Sequence, residues 1–126
     1  MRTADTSLFE QLPLGEMEFG LAQPIAVTRA EPAEFEKNLG LTFEPARDDL
    51  DELVTALIRG ASGRQFALVR HLHQPKPGTT ILTNEKSCDF ARDLQESLAA
   101  LQMNIDGLDW IHPDAVGAPA RGASLQ

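Results

Sequence analysis

Arg47-Asp48-Asp49-Leu50-Asp51-Glu52-Leu53-Val54-Thr55-Ala56-Leu57-Ile58-Arg59 is the stretch on which the reading of the fold turns. Leu50, Leu53, Val54, Leu57 and Ile58 recur at spacings of three and four, which would lay one apolar stripe along a helix. Asp48, Asp49, Asp51 and Glu52 crowd what would be the first turn, where negative charge meets the positive end of the helix dipole. Arg59 falls in the last turn, and Gly60 and Gly63 stop the element. The spacing predicts an amphipathic helix over 47–59, one of two main helices lying against a sheet.

Downstream, 65–72 reads as a strand with Phe66, Leu68 and Val69 apolar. Residues 73–78, with Pro75, Pro77 and Gly78, form a connection, and the β-branched run 79–83 reads as a second strand, so the pair predicts an antiparallel hairpin. Asn84 or Ser87 then caps a helix to about Met103, with Phe90, Ala91, Leu94, Leu98 and Leu101 on its core face. Residues 108–111 read as a last short strand. Upstream, Glu31-Pro32 opens a short helix closed by Gly40. Residues 25–28 have strand character, and Pro24, lacking an N–H, places any strand through it at an edge or a break.

Strand, helices, hairpin, helix, strand is the order of an α+β fold. The expectation is a small two-layer sandwich, an antiparallel sheet with two main helices on one face, ferredoxin-like βαββαβ by element order. One domain over 1–115 suits a chain of 126 residues. Residues 1–15 are expected as a docked arm or a capped turn, and 116–126, rich in Ala, Gly, Pro and Ser, as a disordered tail.

Composition excludes several classes. Cys88 is the only cysteine, so a disulfide scaffold is ruled out. The amino terminus is polar with no apolar stretch behind it, and no run of about 18 apolar residues occurs, so cytoplasmic residence is expected. Nineteen carboxylates outnumber eleven Lys and Arg, giving a net charge of −8, so nucleic acid is disfavoured as a partner. The charge is polarised. Residues 1–63 hold twelve carboxylates and five cations, for −7, whereas 64–86 carry Arg64, Arg70, Lys76 and Lys86 against Glu85, for +3.

Candidate site residues cluster in that basic hairpin. His71 and His73, two apart on an expected strand, would leave the same face and could supply two imidazoles to zinc, with His112 and Cys88 as further ligands of the same type. Two solvated histidines on a hairpin explain the pair more simply, and the sequence assigns no metal and no cofactor. Arg70, Lys76 and Lys86 with the histidines would make an anion-binding lip. Trp110, between Leu108 and Ile111, is expected in the core, with an exposed partner anchor as the alternative. Cys88 is expected partly buried and inert on the flank of its helix.

No G-x-G-x-x-G, G-x-x-x-x-G-K-[ST], H-E-x-x-H or C-x-x-C occurs, and the acidic cluster has a helix start to explain it, so catalysis is not expected. The leading expectation is an accessory module (adaptor, inhibitor or immunity type) meeting a basic protein through its acidic first half. Two alternatives are a small-ligand or metal-binding protein using His71 and His73, and a structural homo-oligomer built on a sheet edge or the Phe9/Leu12 arm.

Overall fold

A computed structural model of the chain describes residues 9–47 and 51–116. Seven strands and two main helices run in the order β1 (Phe9–Leu12), β2 (Leu21–Thr28), α1 (Pro32–Leu39), β3 (Glu44–Arg47), β4 (Glu52–Gly60), β5 (Gln65–His71), β6 (Thr79–Asn84), α2 (Phe90–Leu101) and β7 (Leu108–Ile111). Short 3-10 turns precede β2 and β7, and residues 113–116 are helical. Every strand pairing is antiparallel, in the sheet order β1-β4-β5-β6-β2-β7, with β3 also on β4. The sheet is therefore larger than the four strands of a ferredoxin-like βαββαβ unit, although the α+β class and the β5–β6 hairpin stand.

The helix expected over 47–59 is instead the second half of a β3–β4 hairpin, with Arg47 opposite Glu52 and Ala46 opposite Leu53. Leu53 to Ile58 is an unbroken apolar run apart from Thr55, and half of it is β-branched. Such a run is compatible with helical spacing but equally with a strand covered on both faces. Tertiary burial decides between them: β4 lies between β5 and the β1/β3 edge, and Ala56, Leu57 and Ile58 are all fully buried. The carboxylates have other tasks. Asp51 meets His73 and Glu52 pairs with Arg47, while 48–50 lie outside the described residues.

Alternation along the strands feeds two apolar clusters. Ile58, Phe66, Leu68 and Ile81 point to the face where Phe35 of α1 and Leu94 and Leu101 of α2 pack. Leu53, Leu57, Ala67 and Val69 point the other way, joined by Leu12, Leu21 and Leu14. The connection from β1 to β2 has to cross three intervening strands, and it does so on this second face. Midway, Gln65 on β5 accepts from the Glu18 N–H (2.8 Å) and donates to the Glu16 carbonyl (2.9 Å).

The local signals at the element ends hold. Glu31 and Glu34 form a capping box at α1, and Gly40 closes it at φ 74°. α2 starts later than expected, capped by Asp89, whose side chain accepts from the Arg92 N–H. β2 runs through Pro24, with register irregularities on both sides of it. β7 pairs with β2 only from Ala26 onward, so Pro24 stands where that flank is open and no ladder N–H is demanded of it. Residues 9–12 are an edge strand on β4, where a docked arm or a capped turn was expected; residues 1–8 and 117–126 lie outside the described residues.

Candidate functional site

The basic hairpin turns inward on itself. Arg70 Nε lies 3.1 Å from Glu31 Oε1, and its Nη1 donates to the carbonyls of Lys76 (2.9 Å) and Gly78 (3.2 Å). Glu31 in turn accepts from the Gly78 N–H at 2.9 Å. Arg70 thus ties the 74–78 connection to the start of α1, and Lys76 contributes its carbonyl while its side chain is exposed.

β5 ends at His71, so the two histidines do not share a strand face. His71 is half-buried opposite Leu53, whereas His73 stands beyond the strand with Nδ1 2.5 Å from Asp51 Oδ1. The hydrogen bond to Asp51 and its charge raise the His73 pKa, and the same bond lowers that of Asp51.

The remaining metal candidates are elsewhere. His112 lies edge-on to Phe90 and Trp110, with ring centroids 5.2 and 6.0 Å apart, and its Nδ1 accepts from the Asp114 N–H. Cys88 is exposed rather than partly buried, because α2 begins two residues after it. Among the described residues, no group of three His, Cys, Asp or Glu is gathered to hold a metal ion.

At the opposite ends of the same strands lies a polar cavity of about 460 Å³, with Glu18, Arg64, Gln65, Asn84 and Arg92 among its lining. Two carboxylates one turn apart on α2 stand behind its lining and hold residues of it. Glu96 accepts from the Ser62 N–H (3.0 Å) and hydroxyl (2.6 Å), clamping the β4–β5 turn. Gly60 makes room for this, since a Cβ there would sit 2.5 Å from Glu96 Oε2. Asp93 is fully buried; its Oδ2 accepts from Thr83 Oγ1 (2.8 Å) and its Oδ1 faces Arg64 Nη1 at 3.0 Å. Sequence reasoning passed over these residues. The available signal was Asp93-x-x-x-Ser97-x-x-Ala100, a carboxylate inside the spacing of a buried helix stripe.

A third surface runs along α2. Leu94, Leu98, Ile105, Ala115 and Val116 line an open, predominantly apolar groove of about 430 Å³, and Ile105 is 53% exposed. Phe90 and His112 continue from its Ala91 end to Trp110, which is 44% exposed on β7 rather than in the core. Exposed Asp106, Asp109 and Asp114 flank this surface, and no Lys or Arg occurs from 93 to 120. By contrast, the acidic first half is largely committed internally: Glu10 to Arg59, Glu52 to Arg47, Glu31 to Arg70, Asp51 to His73, Glu34 to the Glu31 N–H and Glu36 to the Phe43 N–H.

No family model matches this chain, and neither the curated proteins nor the solved structures contain a match. Among the described residues, no helix is long and apolar enough to cross a membrane.

Proposed function

We propose that this protein is a small acidic accessory module of the cytoplasm, of adaptor, inhibitor or immunity type, which binds a protein partner along the α2 groove. The observation that carries the reading is the coincidence of an open apolar groove with a flank of exposed carboxylates, Asp106, Asp109 and Asp114, where the neighbouring Arg29 guanidinium is spent on the Asp106 and Leu108 carbonyls. That combination suits an amphipathic segment presenting Leu- or Met-like side chains to Leu94, Leu98 and Ile105, and Lys or Arg to Asp106 and Asp114. Trp110 offers the kind of aromatic anchor over which binding energy concentrates. The internal commitments of the first half argue for this surface over the one suggested by the charge distribution in the sequence. Exposure of the only cysteine suits a reducing compartment.

The test uses a labelled amphipathic Lys/Leu peptide and fluorescence anisotropy, with Ile105→Asp as the variant. Ile105 is exposed, so the fold is spared. The substitution adds negative charge, so mere charge attraction would tighten binding, whereas occupation of the groove predicts a loss of about tenfold or more. Unchanged or tighter binding would sink the proposal. So would a wild-type dimer that Ile105→Asp converts to a monomer in sedimentation, because the occupant would then be a second copy of this chain.

A further inference from the structure

We infer that the polar cavity between the β4–β5 turn and α2 is a second, independent site, which binds a small molecule through a phosphate or carboxylate group held by Arg64 and Arg92. Most of its polar groups are already spent. Gln65 and Asn84 hold the β1–β2 connection, Ser62 is held by Glu96, and Thr83 donates to Asp93. The groups left to meet a ligand are few and of one kind. Arg64 faces a fully buried carboxylate through one Nη, an ion contact at 3.0 Å without hydrogen-bond alignment, which holds the guanidinium near Asp93 while leaving its N–H donors on a side chain that is 36% exposed.

Arg92 is the second donor. Among the described residues its guanidinium has no ion-pair or hydrogen-bond partner. It occupies the third position of α2, where a cation opposes the helix dipole. A cation placed against the dipole, unpaired, and lining a cavity beside Arg64 is accounted for by an anion between the two. Two guanidiniums converging on one oxyanion make charge-assisted hydrogen bonds, the strong class. Glu18, on the same lining and likewise without a side-chain partner among the described residues, sets the limit: it repels a bare anion and favours one with a neighbouring hydroxyl or ammonium donor.

The experiment is an NMR titration of the arginine Nε–Hε resonances of the whole protein with inorganic phosphate and, separately, with succinate. Saturable shifts confined to Arg64 and Arg92 are expected with at least one anion, and the tighter of the two assigns the ligand's acidic group. Arg92→Gln, an exposed position, should weaken that binding about tenfold or more, and Glu18→Gln should strengthen it. Arg59, paired with Glu10, serves as the reference that should not move. Shifts that are non-saturating and alike at all arginines, or Arg92→Gln binding as tightly as wild type, would overturn the assignment.

Discussion

Replacing Arg64 with methionine keeps the length of the side chain and removes the guanidinium from a carboxylate that has no access to water. Asp93 is fully buried, its Oδ1 makes no hydrogen bond and is met only by the Arg64 charge, so without Arg64 the Thr83 hydroxyl alone would remain on the carboxylate. Breaking a buried pair from the side that strands the charge costs about 3–5 kcal/mol. For a chain of this size that corresponds to roughly 12–20 °C in melting temperature. The reverse replacement, Asp93→Asn, should be milder. Arg64 is 36% exposed, so its charge can turn to water, and the asparagine oxygen can still accept from Thr83. The expected cost is about 1–2 kcal/mol, from loss of the ion contact and of the charge that strengthens the Thr83 hydrogen bond. The two changes share one interaction, so the double variant should cost clearly less than the sum, with a coupling of about 2 kcal/mol. Urea unfolding followed by far-UV circular dichroism on the four proteins measures all three quantities. If Arg64→Met proves milder than Asp93→Asn, or the coupling falls below about 0.5 kcal/mol, Asp93 does not depend on Arg64 as the geometry requires.

Two further outcomes can be checked. At Gly78 a Cβ would stand 2.1 Å from the Thr28 carbonyl oxygen, and φ is +121°, so Gly78→Ala should cost on the order of 3 kcal/mol; Gly40→Ala, at φ +74° with open space around it, should cost only about 1 kcal/mol. The His73 imidazole, followed by NMR against pH, should titrate above its ordinary 6.5, and Asp51→Asn should return it toward that value. Its raised pKa means that the protonated imidazole stabilises the fold below 6.5 and that this contribution is lost as pH rises through the folded value. Asp51 is lowered from 3.8, so its contribution is present above 3.8 and lost as pH falls through its lower folded value. The pair therefore contributes fully only between these two ordinary values, and a pH optimum of its contribution outside that window would refute the ion pair.

Local chemistry determined several elements without help from the rest of the chain. Glu31-Pro32 and Gly40 bound α1 because a capping box and a left-handed closing residue act over a few residues. The β5–β6 hairpin followed from an apolar stretch and a β-branched run separated by prolines and a glycine, and β7 from a short apolar stretch ending before His112-Pro113. Long-range packing decided the others. The run 53–58 carries both a helical and a strand reading, and it became β4 because strands from distant parts of the chain flank it and burial on both faces leaves no preference for one stripe. Pro24 was admitted to a strand only because β7 stops short of it.

The same division holds for the surfaces. Composition determined the charge, its sign and its uneven spread, but which carboxylates remain available is a tertiary matter, since Glu10, Glu31, Asp51 and Glu52 meet partners brought together by the fold. The pairing of Arg64 with Asp93 joins residues on different elements, and no spacing in the chain encodes it. Short-range signals specify where an element begins and ends; only the burial that surrounds it decides what a continuous apolar run becomes, and which charges it leaves facing solvent.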